Sequence, residues 1–497
     1  MAQFVKLNPD ALRELRKIDE RLVSYNVEMT EVTGGTFWKA YTEAQVDGTE
    51  PFDQILDWRN MGNLQQWYDP IDTTHPRLIK LARELGTAWV RVSGTWANKT
   101  YYDFDGHTGC KVPEGFQNLL TKQQWLNLLD FVRAIDGKLL VSVANCPGIH
   151  SADEPWPCEQ AELLFRTSKE YGVPIAAAEF TNEPNMMAMS GLPQGYTAED
   201  HARDHDIFAR WLKENYPDCL MVGPCTCGDV AMFGEMSTGG GIASALKMVT
   251  TEDLLGDYEK RLDVFSYHYY NGVSERGAAM GGHWPYEAAL SEKYLTVAGD
   301  CARQYLNRRD TYCPGGQMWV TESGDAGCGG NTWASTFVDV FRTLNELGDF
   351  ATVTDGIVFH NTLASSDYGF LKHGTFEPRP NYFAVLLWNR LMGQTVYATG
   401  EEIRQGAHVY AHSRKDGRDG VVYLIINNSE EATTVELPGD AVRYTLSGNG
   451  KLRSRTMLLN GRELKLGEND ELPALEGVHQ SAGTIELAPQ TCTFLVL

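Results

Sequence analysis

The stretch AAAEFTNEPNMM, residues 176–187, runs three alanines into Glu179 and Phe180 and then breaks into Asn182-Glu183-Pro184-Asn185. Small residues suit a strand inside a crowded barrel. Pro184 has no N–H for a strand ladder and so helps to end the strand there. Glu183 thereby falls where a barrel enzyme keeps its chemistry, at the C-terminal end of a strand. Glu179 precedes the strand end, and two roles stay open for it: support for catalysis, or a buried salt-bridge partner.

Working outward, the same kind of apolar run recurs. LVSYNVEM (22–29), AWVRVSG (88–94), KLLVSVAN (138–145), PIAAAEF (174–180), CLMVGP (219–224), DVFSYHYY (263–270), QMWVTES (317–323) and GIVFHN (356–361) give eight candidate strands. Helical segments with readable ends lie between them. In TKQQWLNLLDFVRAIDG, Thr121 and Gln124 make a capping box, and Trp125, Leu128, Leu129, Val132 and Ile135 share one face. The segments 75–86 and 331–348 both stop at glycine. Strands alternating with helices predict a parallel sheet covered by helices. Eight units predict an α/β fold, a (β/α)8 TIM barrel, over residues 15–385; a doubly wound sheet would rarely need so many.

From about residue 395 the helical period stops. GVVYLIINNS, ATTVELPG, AVRYTLSG, GTIELAP and CTFLVL are short strands between Gly, Pro and Asn turns. They predict an antiparallel β-sandwich over 386–497, with QFVKLNP from residues 1–14 supplying a further strand.

The composition limits the partners. With 43 basic against 66 acidic residues the net charge is −23, which argues against nucleic acid, an anionic membrane surface or a long polyanion. A small anionic group in a pocket is not excluded. The start, MAQFVKLNPDALRELRKIDE, lacks the apolar core of a secretory signal, so the expectation is a cytoplasmic protein with reduced thiols. The ten cysteines form no CxxC pair, and Cys225-Thr-Cys227 has no second half, so neither a metal nor another cofactor is expected.

The residues that end each strand carry the chemistry. Glu28 ends the first, Arg91 and Thr95 mark the second, Asn145 the third, Asn182 and Glu183 the fourth, His268 and Tyr270 the sixth, Glu322 the seventh, and His360 and Asn361 the eighth. In a closed barrel, Glu183 and Glu322 face each other across the mouth. Two facing carboxyls suit glycoside hydrolysis, provided their pKa values differ. An apolar wall would keep one protonated, while Arg91 and the Tyr270 hydroxyl would keep the other ionised. Asn182 is placed to bond a sugar 2-hydroxyl. Plainer readings stand beside these: a surface turn for NEP, a structural Arg91–Glu183 ion pair, and satisfied core roles for His268 and Tyr270. After Glu322 the glycine-rich SGDAGCGGN (323–331) lacks the Lys-Ser/Thr of a phosphate loop, but its free N–H groups suit a carboxylate.

These segments, taken in order, resemble glycoside hydrolase family 79, the heparanase and β-glucuronidase family of the retaining clan A. LARELGTAWVRVSGTWAN, FTNEPNMM, LMVGP, FSYHYYNG, VTESGDAGCGGN, SSDYGFL and RPNYFAVLLWNRLMG carry the likeness over most of the chain. The resemblance implies Glu183 as acid/base and Glu322 as nucleophile. It implies a sugar contact at Glu28, where the family usually has aspartate, and another at Asn361. It further implies that a uronate carboxylate meets the loop amides at Cys328, Gly329 and Gly330 and the Tyr368 hydroxyl. Cys328 interrupts the family's glycine run, although a main-chain contact would survive it. Aromatic residues Trp38, Trp96, Tyr101 and Trp284 are candidates for stacking on sugar or aglycone. The acidic surface lacks a basic cleft for heparan sulfate, so the expected activity is exo-hydrolysis of terminal β-glucuronides. The rivals are a neutral β-glycoside, endo-cleavage of a heparanase-like kind, and a non-catalytic carbohydrate-binding barrel.

Overall fold

The computed structural model describes residues 3–228, 248–256 and 262–497. All eight candidate strands form, and they close into one parallel barrel. They are β1 (Val23–Glu28), β2 (Trp89–Ser93), β3 (Lys138–Ser142), β4 (Ile175–Glu179), β5 (Leu220–Cys227), β6 (Val264–Tyr270), β7 (Gln317–Gly324) and β8 (Val358–His360). Their order around the barrel follows the chain, with β8 pairing back onto β1.

The barrel interior changes character along the strands. Its N-terminal end is filled by Trp89, Leu140, Ala177, Val222, Val264, Trp319, Ile357 and Phe359, all buried. Two residues further along, on the same face of a period-two strand, stand Arg91, Ser142, Glu179 and Ser266. A charged layer can sit on an apolar plug only if it neutralises itself, and Arg91 and Glu179 do so with an Nε–Oε2 contact of 2.8 Å, both side chains fully buried.

Two local irregularities place the glutamates. In β7 the register against β6 jumps from Tyr267–Val320 to His268–Glu322, and against β8 from Val320–Val358 to Ser323–His360. One extra residue at this β-bulge reverses the side-chain alternation, so Glu322 shares the inner face that Trp319 occupies below it. Glu183 has φ of 47°, a left-handed conformation that costs a residue with a Cβ on the order of 1 kcal/mol. Its carbonyl is held by the Met186 N–H at 3.1 Å and the Ser190 hydroxyl at 2.5 Å.

The second part is a sandwich of unequal sheets. The larger contains Met392–Ala398, His408–Arg414, Val421–Asn427, Thr491–Val496 and Ala441–Gly448, and Arg13–Lys17 joins its edge. The smaller holds Gln3–Lys6, Thr433–Leu437 and Gly483–Leu487. Gln3–Lys6 runs parallel to Thr433–Leu437, the exception to the antiparallel pattern. VVYLII is apolar throughout because both faces of its strand are covered. Val421, Tyr423 and Ile425 pack between the sheets, while Val422, Leu424 and Ile426 join the core shared with the barrel.

Three sequence-based boundaries move. Residue 385 lies inside the helix Pro380–Leu391, so the change of architecture comes at Met392. Residue 14 lies inside Arg13–Lys17, a sandwich strand held by pairing with Met392–Ala398. The helix expected to stop at Gly348 starts at Val338 and continues to Val353. Gly348 is there for contact: a Cβ on it would lie 2.4 Å from the Tyr410 ring, so glycine lets the helix press on the sandwich. No helix of the described residues is long and apolar enough to cross a membrane.

Candidate active site

A cavity of about 100 Å³ opens at the C-terminal end of the barrel. Glu28, Thr95, Asn182, Glu183, Tyr270, Glu322, Cys328, Asn361 and Tyr368 all line it. Arg91 and His268 do not; they lie fully buried behind its floor.

Arg91 organises the floor. Its Nε meets Glu179, Nη1 meets Glu322 Oε1 at 3.0 Å, and Nη2 donates to Asn182 Oδ1 at 2.7 Å. The Arg91–Glu183 pair does not form. Glu179 is therefore the buried salt-bridge partner, with the Ser266 hydroxyl donating to its other oxygen at 3.3 Å. Burial would lower the pKa of Arg91, but the carboxylates of Glu179 and Glu322 hold it above the ordinary value. Because Asn182 accepts from Arg91 through its oxygen, its amide N–H₂ is left as the donor to the cavity. Asn98 fixes the same residue by its backbone, donating to Asn182 O at 3.0 Å and accepting from Asn182 N at 2.9 Å.

His268 links the two glutamates. Arg91 Nη2 stands 3.2 Å from its Nε2, and a guanidinium can only donate. The ring proton is therefore assigned to Nδ1, which donates to Glu183 Oε1 at 2.9 Å and lies 3.6 Å from Glu322 Oε2. Burial, aided by the charge of Arg91, holds the His268 pKa well below its ordinary value, so the ring is neutral. Glu179, Cys225 and His268, and likewise Glu183, Cys227 and His268, bring potential metal ligands within 4.8 Å of one another. With Nε2 accepting from Arg91 and Nδ1 protonated, the ring offers a metal no lone pair.

The two carboxyls differ electrostatically. Burial pushes Glu322 up, but Arg91 and the Tyr270 hydroxyl, which donates to Oε2 at 2.7 Å, pull it back. Burial and then the charge on Glu322 push Glu183 up to about 8. Glu322 is thus the one that ionises first, and Glu183 keeps its proton through neutral pH. If the protonated form of Glu183 is the active one, kcat/KM will fall as pH rises through about 8. Glu183→Gln should abolish that basic limb on a substrate whose leaving group needs no proton. An unchanged limb in the variant would assign it to another group.

Glu28 reaches the cavity because Gly94 leaves room. A Cβ at Gly94 would lie 1.5 Å from Glu28 Oε2, an atom with no hydrogen-bond partner among the described residues. Burial and the charge on Glu322 raise the Glu28 pKa well above its ordinary value. Asn361 Nδ2 donates to the Tyr270 hydroxyl at 2.8 Å and lies 3.4 Å from that of Tyr368, while Asn26 holds its oxygen at 3.1 Å.

The glycine loop is fixed through its carbonyls: Ser366 donates to Gly329 O at 3.0 Å and Ser274 to Gly330 O at 2.9 Å. The N–H groups of Cys328, Gly329 and Gly330 donate to no acceptor among the described residues. Cys328 lines the cavity; Gly329 and Gly330 stand behind it.

Some expected contacts are corrected. Asn145 is fully buried and does not line the cavity; it lies within hydrogen-bonding distance of Thr181, Tyr196 and His150, because the chain after β3 turns it into that network. Arg91 and His268 act on the glutamates rather than on a ligand. His360 is held by Tyr368 O at 2.6 Å and stacks on Phe370. Trp38 and Trp96 line the cavity, whereas Trp284 is tied to Asn271 O and Tyr101 packs on Phe116. Asn98, Gly94, Met186 and Met189 carry no signal in the sequence, and Cys227, weighed there only as a metal ligand, lines the cavity. The methionines stand in or just beyond the opening motif.

A parallel barrel with two unlike carboxyls at its mouth is the arrangement of a barrel glycoside hydrolase. No family model matches the chain. Heparanase-like protein 1 of Arabidopsis thaliana is 24% identical over 481 residues, covering 86% of this chain and 85% of that protein. The hyaluronoglucuronidase of Hirudo nipponia is 26% identical over 468 residues, covering 86% and 90%. In fold, the chain is similar to the 4-O-α-L-rhamnosyl-β-D-glucuronidase of Fusarium oxysporum, with a TM-score of 0.64, 12% identity, and coverage of 99% of this chain and 100% of that one. Over most of its length the chain is similar to heparanase-like proteins and glucuronidases, and it is a glycoside hydrolase.

Proposed function

We propose that this protein is a retaining exo-β-glucuronidase. The observation that carries the mechanism is the position of His268 Nδ1, 2.9 Å from Glu183 Oε1 and 3.6 Å from Glu322 Oε2. Those two oxygens can then be no further apart than about 6.5 Å, the lower edge of the inverting range of roughly 6.5–9.5 Å, and any bend at the nitrogen brings them closer to the retaining value of about 5–5.5 Å. Glu322 attacks the anomeric carbon as Glu183 gives its proton to the leaving oxygen. Water, deprotonated by Glu183, then displaces Glu322 and frees the sugar with its β configuration.

The glucuronide reading is supported by the unoccupied N–H of Cys328, which lines the same cavity as Tyr368. Two curated relatives carry glucuronidase in their names, the hyaluronoglucuronidase of Hirudo nipponia and the baicalin-β-D-glucuronidase of Scutellaria baicalensis. The test pairs nitrophenyl β-glucuronide with nitrophenyl β-glucoside. Tyr368→Phe should cut kcat/KM for the glucuronide by about 10-fold, the value of one hydrogen bond to a charged group, and leave any glucoside turnover unchanged. Equal losses on both sugars would remove Tyr368 from carboxylate recognition.

A further inference from the structure

We propose that Ser323 and Glu346 are positioning residues: the hydrogen bond between them sets the strand register that turns Glu322 into the cavity. The inference deepens the reading of Glu322 as nucleophile and rests on it. In β7, Met318 and Val320 join the core between barrel and helices, whereas Trp319 points inward to the plug. A strict period of two would send Glu322 outward after Val320, and Ser323 inward. The bulge exchanges them. Ser323 then faces the helix Val338–Val353 and donates its hydroxyl to Glu346 Oε1, both residues being buried.

Glu346 ends a chain of buried charge. Its Oε2 accepts from Arg342 Nη1 at 2.8 Å, and Arg342 meets Asp339 through Nε at 2.7 Å and Nη2 at 2.9 Å. Asn381 Nδ2, on the helix Pro380–Leu391, donates to Asp339 Oδ2 at 2.7 Å. Asp339, Arg342 and Glu346 stand at i, i+3 and i+7, on one buried face of their helix. Such a network contributes little net stability, and its best-attested use is to fix one register against another. Both registers can be compared here. With the bulge, Glu346 meets a hydroxyl that donates to it. Without the bulge, the Glu322 carboxylate would enter the same buried shell, setting three carboxylates against the Arg342 guanidinium, where like charges repel strongly. Arg91 and Tyr270 hold Glu322 from inside the barrel, but only once the main chain has brought it there. Glu346 is not needed to neutralise Arg342, which Asp339 already meets with two bonds, so it can be replaced without orphaning a charge.

The experiment measures kcat and KM on nitrophenyl β-glucuronide, with and without azide. Ser323→Ala should lower kcat about 10-fold, the value of one hydrogen bond to a charged group, with KM within about twofold of the parent. Glu346→Leu should do the same. Because both substitutions break one bond, the double variant should lose no more than about twofold beyond either single one. In Glu322→Gly, where azide takes the place of the carboxylate, there is no nucleophilic side chain left to misplace, so adding Ser323→Ala or Glu346→Leu should leave the azide-rescued rate within about twofold. Equal losses with and without azide would reduce the pair to general packing and overturn the proposal. So would an unchanged kcat in either single variant, or losses that multiply in the double one. Failure of azide to rescue Glu322→Gly alone would instead overturn the nucleophile reading, and this inference with it. Should the parent turn over nitrophenyl β-glucoside and not the glucuronide, the same comparison runs unchanged on the glucoside.

Discussion

Glu322→Gly is expected to lower kcat on an aryl β-glucuronide by on the order of 10⁴-fold or more, because no other group can form the covalent intermediate. Azide should then recover turnover, since it fits the space left by the carboxylate and attacks from the same face. The product should be the α-glucuronyl azide, one inversion away from the substrate. Arg91 and Tyr270 would remain in place, 3.0 Å and 2.7 Å from the oxygens that the substitution removes, and would help to hold the anion. A variant that kept its activity without azide, or made the β-azide, would take Glu322 out of the nucleophile's role.

Arg91→Met should be nearly as damaging, through a different route. The guanidinium is fully buried and bonds Glu179 and Glu322. Removing one partner from such a pair leaves uncompensated buried charge and typically costs about 3–5 kcal/mol. The remaining carboxyls relieve that cost by taking up protons, and a protonated Glu322 cannot attack. Sign matters here: without Arg91 the Glu322 pKa rises, so the acidic limb of the kcat/KM profile should move to higher pH. Adding Glu179→Gln removes the second orphaned charge and should restore much of the urea-unfolding midpoint without restoring activity. If the double variant recovered both, Arg91 would matter only for folding.

The barrel was legible because its strands are short apolar runs that end in polar residues, and a fully covered strand cannot hide that pattern. VVYLII was legible as a strand for the same reason, though not that it faces the barrel on one side and the second sheet on the other. Glu183 and Glu322 could be found by asking which residues end each run. What could not be read was orientation. The bulge in β7 reverses the side-chain alternation, and nothing in Val320-Thr321-Glu322 announces it. Asn145 follows its strand just as Asn182 does, yet turns into a buried network rather than to the cavity. Gly348 looked like a helix stop because glycine ends many helices, whereas here it answers to Tyr410, 62 residues away in sequence (410 − 348). Nothing in the sequence marks Met186 or Met189 as cavity residues, since methionine is an ordinary filler of cores.

The central claim, retention through a pair of glutamates on a β-glucuronide, is tested most directly by the first product formed. Proton NMR of an aryl β-glucuronide during the first minutes of hydrolysis separates the two anomeric protons before mutarotation mixes them. The account predicts that β-glucuronic acid appears first and the α anomer grows in later at the spontaneous rate. Initial release of the α anomer would contradict it, and would require Glu183 and Glu322 to act on a water held between them.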